Sequence, residues 1–258
     1  MPYFSWIACM PVLTLSLATP AQENGERSSP IATGFLYKTV TFDKREYAYC
    51  VFVPPKYTPK KAWPVILFLH GSGERGQDGF RQTEVGLPQA IRRNHNRVPA
   101  IVVMPQCRRG QTWTGDMARL ALQCVEKTSR EYRLDKDRIY LTGLSLGGAG
   151  TWTIAAALPE RFAAIAPICG FGDVRDAPKL AGVPVWCAHG ALDDRVPVER
   201  SREMVAAVRA AGGDVTYKEL PRGKHNVWKA TYNDQEFWRW LFAQKRPTGD
   251  REHERSGG

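Results

Sequence analysis

Gly143-Leu144-Ser145-Leu146-Gly147-Gly148 constrains what this chain can fold into more than any other stretch. Before it, Asp137 to Thr142 reads as a short buried strand. After it, Gly148 to Leu158 reads as a tightly packed helix stopped by Pro159. A serine on so sharp a strand-to-helix turn is pushed into a strained backbone geometry, and glycines two residues before and after it remove side chains that would clash. The bare pattern G-x-S-x-G is common by chance; the strand before it and the helix after it mark a nucleophile elbow.

The rest of the chain has the matching rhythm. Two alternating segments, Phe35 to Phe42 and Tyr47 to Val53, flank Asp43-Lys44-Arg45-Glu46 and read as a hairpin. Apolar runs at Val65–Leu69, Ala100–Met104, Ile139–Leu141, Ala163–Ile168 and Val183–Ala188, with the alternating Val215–Leu220, read as further strands. Helical stretches fall between and after them, at Met117–Tyr132, Leu146–Leu158, Val198–Ala211 and Trp228–Phe242. Strands alternating with helices predict an α/β fold: a mostly parallel eight-stranded sheet with helices on both faces. At 258 residues this is one large domain, expected over residues 31–244.

A serine hydroxyl needs a neighbouring base, usually a histidine held by a carboxylate. Of five histidines, His70 and His189 end strands in His-Gly pairs and read as shaping residues. His95 sits among arginines and His253 in a loose tail, which leaves His225, between the last strand and the last helix. Ser145, an aspartate at 193 or 194, and His225 all follow strands, in the chain order of an α/β-hydrolase. Adjacent residues point in different directions, so one aspartate serves the histidine and the other is free to cap a helix. Two backbone N–H groups should form the oxyanion hole: Leu146, after the nucleophile, and Ser72, in the glycine-rich loop His70 to Gly76. That loop lacks the signatures of a P-loop or a dinucleotide site.

From about Phe35 to Phe242 the chain resembles the α/β-hydrolase superfamily. It is most similar to the secreted esterase and predicted-peptidase branch related to polyhydroxybutyrate depolymerases, feruloyl esterases and the prolyl oligopeptidase catalytic domain. The resemblance rests on Leu69-His70-Gly71-Ser72-Gly73-Glu74-Arg75-Gly76, Pro105-Gln106-Cys107 with Trp113, the elbow itself, and Ala166-Pro167-Ile168-Cys169-Gly170. It also rests on His189-Gly190-Ala191-Leu192-Asp193 with Val196-Pro197, and on Gly223-Lys224-His225-Asn226-Val227-Trp228. It implies that Asp193, three residues after the His-Gly pair, is the acid. Relatives often carry a second glycine where this chain has Lys224.

Only Gly170 to Gly182 separates the sixth and seventh strands, too little for a large helical lid, so an open site is expected. Trp113, Gln106 and Trp228 are the candidates for lining it. The expected function is serine carboxylic-ester hydrolysis through an acyl-enzyme, on short-acyl or feruloyl-like esters, small or polymer-attached. The competing readings are a prolyl oligopeptidase-type peptidase, for whose propeller these residues leave no room, and a catalytically silent binding protein.

Met1 to Ala21 carries no charged side chain, and its apolar run from Ile7 to Leu17 precedes the small residues Ala18, Thr19 and Ala21. This reads as an export signal, followed by a linker over 22–30; the run is too short for a comfortable membrane span, so no stable insertion is expected. Residues 245–258 read as a disordered tail. Without the signal the cysteines are Cys50, Cys107, Cys124, Cys169 and Cys187, an odd number with no C-x-x-C spacing. They read as small buried hydrophobes, and neither metal nor organic cofactor is expected. The net charge of +10 comes without interleaved aromatic and basic residues, so no nucleic-acid partner is expected.

Overall fold

The computed structural model describes Met1 and residues 31–247, and the compact unit begins at Ala32. The expected export signal, the linker and most of the expected tail lie outside the described residues.

The Asp43-Lys44 turn, with both residues at positive φ, joins β1 (Gly34–Phe42) to β2 (Arg45–Val53) as an antiparallel hairpin. The chain continues through β3 (Trp63–Leu69), α1 (Leu87–Arg93), β4 (Ile101–Pro105), α2 (Gly115–Glu131), β5 (Leu134–Leu144) and α3 (Leu146–Ala157). It then forms β6 (Ala164–Ile168), β7 (Val185–Gly190), α4 (Glu199–Ala210), β8 (Val215–Leu220), α5 (Trp228–Thr231) and α6 (Gln235–Ala243). The strands lie in the order β1-β2-β4-β3-β5-β6-β7-β8, parallel from β4 to β8. β2 runs antiparallel to both its neighbours. This is the α/β-hydrolase architecture.

The sheet is buried on both faces, which is why its central strands are apolar without alternation. In β3, Val65, Leu67 and Leu69 belong to the core on the side of α2, α3 and α4, whereas Ile66 and Phe68 belong to the core on the side of α1 and α6. The five cysteines expected to be small hydrophobes are all buried and unpaired.

Three sequence expectations change. The helix expected over Trp228–Phe242 is two, because the Asp234 side chain accepts from Glu236 N–H and starts α6 afresh after a short break. Helix α1, started by Pro88 in its first turn after Gly86 at φ 79°, was hidden by its brevity. The domain also runs past residue 244: Tyr140 donates to Gln244 O, and Arg246 N–H to Asp137 O.

The elbow depends on backbone-to-backbone packing. A Cβ on Gly147 would lie 1.9 Å from the Leu69 carbonyl oxygen, and one on Gly148 would lie 2.5 Å from that of Ile168. The first turn of α3 is thereby pressed between the carboxyl ends of β3 and β6. Gly147→Ala should therefore lower the unfolding free energy by about 3 kcal/mol or more, since neither neighbour is a side chain that can swing away. Gly73, around which nothing lies within 4 Å, is the control. Chemical denaturation of the two alanine variants tests this; equal losses would contradict it.

Candidate active site

Ser145 follows β5 directly and caps α3 with φ 55° and ψ −116°, a region that residues with a Cβ seldom adopt. Its N–H donates to Ile168 O at 2.9 Å and its carbonyl accepts from Ala149 N–H at 3.0 Å, so both sides of the turn are held. The hydroxyl therefore projects beyond the end of the sheet.

The loops after β7 and β8 bring two more groups to it. His225 Nε2 lies 2.9 Å from Ser145 Oγ, and Nδ1 lies 2.7 Å from Asp193 Oδ2 and 3.0 Å from Oδ1. A carboxylate only accepts, so Nδ1 carries the proton and Nε2 is left to accept from the serine. The Asp193 side chain is fully buried, whereas that of His225 is 20% exposed. Burial alone would raise the Asp193 pKa. The Val196 N–H, the His225 ring and the Arg195 N–H outweigh it and hold the carboxyl below the usual carboxylate range. Oδ1 accepts from Arg195 N–H at 2.8 Å and Val196 N–H at 3.0 Å. Asp194, one residue on, is exposed and makes no contact with His225.

Leu146 opens α3, where N–H groups have no partner within the helix. Ser72 opens a single 3₁₀ turn, Ser72–Glu74, that abuts Ser145: a Cβ on Gly71 would lie 3.6 Å from Ser145 Cβ. His70 sets the direction of the Ser72 N–H. Its Nε2 accepts from Cys107 N–H at 2.9 Å, so Nδ1 carries the proton and donates to Gly71 O at 2.6 Å. In a trans peptide the Ser72 N–H points opposite to that carbonyl. Burial lowers the His70 pKa to about 4, so the ring stays neutral in this role.

A model of the putative esterase family matches residues 41–247. The chain belongs to this family. As a member of the esterase family it is 26% identical to an uncharacterized secreted protein of Arthroderma benhamiae, over 63% of this chain and 21% of that one. It is 27% identical to a bifunctional acetylxylan esterase/xylanase of Neocallimastix patriciarum, over 61% of this chain and 23% of that one. The chain thus spans only between a fifth and a quarter of these curated relatives. The crystal structure of a thermostable esterase superposes with a TM-score of 0.75 at 36% identity, covering 82% of this chain and 63% of the other.

Among the side chains expected to line the site of this esterase-family protein, Trp228 is there. It is half-buried and meets the His225 ring edge-on at 5.5 Å. Trp113 is not. It is 1% exposed in the core, Gly150 makes room for it, and its Nε1 donates to His70 O at 3.0 Å. Gln106, 2% exposed, is also consumed by structure: it accepts from Gly79 N–H at 2.7 Å and donates to Glu74 O and Asp78 Oδ1. Both shape the loop that carries Ser72 and do not face the cleft.

The sequence did not single out three exposed apolar side chains on the loops that follow β6 and β7. Phe171, Val174 and Leu192 are large hydrophobics left exposed on the loops after β6 and β7. The available signal was an apolar residue directly before Asp193 and another directly after Gly170. Cys169 completes the floor: its Sγ lies within 4.8 Å of ligand atoms of Asp193 and His225.

Proposed function

We propose that the protein is a serine carboxylic-ester hydrolase in which Ser145 is the nucleophile, His225 the general base and Asp193 the orienting acid. The observation that carries this reading is the continuous chain from Asp193 Oδ2 through His225 to Ser145 Oγ, with links of 2.7 and 2.9 Å, on a strained strand-to-helix turn.

His225 takes the Ser145 proton as Oγ attacks the ester carbonyl, and Asp193 stabilises the imidazolium that forms. The Leu146 and Ser72 N–H groups receive the developing oxyanion. His225 then protonates the departing alcohol, leaving an acyl-enzyme that water hydrolyses by the same steps in reverse.

The substrates we infer are short-acyl or aromatic esters, including polymer-attached ones. Residues 169–184 between β6 and β7 hold a single 3₁₀ stretch, Val174–Leu180, so no helical cap encloses a long acyl chain. We infer that the exposed side chains of Phe171, Val174 and Leu192, on the loops after β6 and β7, serve a small acyl group as a shallow apolar rim. Each methylene left outside such a rim forfeits about 0.8 kcal/mol of possible binding. The relative named as an acetylxylan esterase supports a polysaccharide carrier. An alcohol leaves more easily than an amine, which places peptide amides below esters for a site this open.

Two tests follow from this reading. The kcat/KM values for acetyl, butyryl, octanoyl and palmitoyl esters, methyl ferulate, acetylated xylan and a proline-containing amide should peak at short or aromatic acyl groups. Asp193→Asn should cost on the order of 10⁴ in kcat and Asp194→Asn little, in the same assay. A maximum at palmitoyl or at the amide, or a larger loss in the second variant, would refute it.

We also infer that the protein is exported, on the uncharged apolar start up to Ala21. No helix among the described residues is long and apolar enough to cross a membrane. Amino-terminal sequencing from the native host should find Thr19 or Gln22 first; an intact Met1 in a cytosolic fraction would contradict this.

A further inference from the structure

Asp193 has a second histidine partner. His189, the residue that the sequence reading took for a shaping group, ends β7 with a fully buried side chain whose Nε2 lies 3.0 Å from Asp193 Oδ2. The same nitrogen lies 3.0 Å from Val196 O. The hydrogen bond of this nitrogen goes to the Val196 carbonyl, which only accepts, so Nε2 carries the proton, and Asp193 Oδ2 lies beside that N–H at ion-pair distance. Nδ1 is therefore the acceptor, and the Ser201 hydroxyl lies 2.7 Å from it, from the first turn of α4. Ser201 is itself fully buried, and Gly170 O lies 3.3 Å from its hydroxyl. Ser201, His189 and Asp193 thus form a second Ser-His-Asp chain, wholly buried, that ends on the same carboxylate oxygen as the reactive one.

We propose that His189 is a positioning residue for the acid: with its tautomer fixed by Ser201 and Val196 O, its N–H lies against Asp193 Oδ2 and sets how strongly that carboxylate acts on His225. The proposal rests on the reading of Ser145, His225 and Asp193 given above. Oδ2 has two polarised N–H groups within 3.0 Å, one hydrogen-bonded to it from His225 and one lying beside it from His189, and removing the second leaves its charge to the first. Without His189 the carboxylate would favour the protonated form of His225 more strongly, so a higher pH would be needed to keep the base free.

The groups that face this chain leave His189 as the adjustable one. His225 lies beyond Asp193, and Cys169 closes the floor from β6. Glu219 pairs with His189 in the β7–β8 register, but Arg202 of α4 and the Tyr217 hydroxyl hold its carboxylate. Burial lowers the His189 pKa, which suits a neutral donor.

The test is the pH profile of kcat/KM for a short-acyl ester in wild type, His189→Gln, His189→Leu and Ser201→Ala, with thermal unfolding of each as the folding control. A glutamine amide can donate to Asp193 and accept from Ser201; leucine can do neither. His189→Leu should move the acid limb to higher pH by roughly half to one unit and lower kcat about tenfold, with KM within about threefold. His189→Gln should restore the limb to near its wild-type position. Ser201→Ala, which keeps the imidazole and covers the case in which His189→Leu does not fold, should move the limb upward by a smaller step. Superimposable limbs, a limb that moves downward, or a glutamine variant that behaves like leucine would overturn the proposal. Ser145→Ala in the same assay separates the two readings: if its rate equals that of wild type, the assignment of the nucleophile fails, whatever the histidine variants do.

Discussion

The contact between Gly147 and the Leu69 carbonyl is the constraint on which the rest of the site depends. Because no side chain separates them, the start of α3 can lie against the end of β3, and the ends of β3, β5 and β6 converge on one spot. That convergence holds Ser145 in its positive-φ turn and brings the Gly71–Ser72 peptide beside its Cβ. Packing on one side of the sheet thereby becomes chemistry at its edge. The strain at a single residue is outweighed by a backbone that is hydrogen-bonded on both sides of it.

Around this point the molecule uses buried neutral histidines as struts. His70 links β3 to the loop after β4 through Cys107 N–H and fixes the Gly71–Ser72 peptide beside Ser145. Trp113 and Gln106 brace the same loop from below, each with its polar atoms committed to backbone or loop partners. His189 plays the corresponding part on the far side, between α4 and the loop after β7. Unpaired polar groups at these depths would each cost about 1–3 kcal/mol, so such struts hold only when every partner is present. The His225 imidazole, by contrast, is partly open to solvent, as the proposed exchange of protons with substrate requires.

The sheet, the elbow and the Ser-Asp-His order were legible in the sequence because each is written in local patterning: apolar runs, glycine spacing and position after a strand. The choice between Asp193 and Asp194 came only through the family resemblance, since residue type alone is equal at the two positions. What separates them is a turn in which Oδ1 caps the N–H groups two and three residues on, leaving Oδ2 for the histidines. Trp113 and Gln106 were placed in the cleft because they fall in loops after strands. A loop residue can also point inward, and Gly150 provides the space that admits the indole. The short helix α1 and the break before α6 were lost for a related reason: a turn of helix and an aspartate cap are weak signals beside the long apolar periodicity around them. The exposed Phe171, Val174 and Leu192 went unseen because exposure is a property of the folded surface.

The central claim is that Ser145 Oγ, and no other hydroxyl or thiol of the chain, is the acyl acceptor. Incubation with a fluorophosphonate probe, followed by peptide mass spectrometry, measures this directly. The account predicts one adduct per chain, carried by the peptide that contains Ser145, forming in step with loss of ester hydrolysis and absent from Ser145→Ala. An adduct on another residue that tracks the loss of activity, or hydrolysis that survives stoichiometric labelling of Ser145, would contradict it.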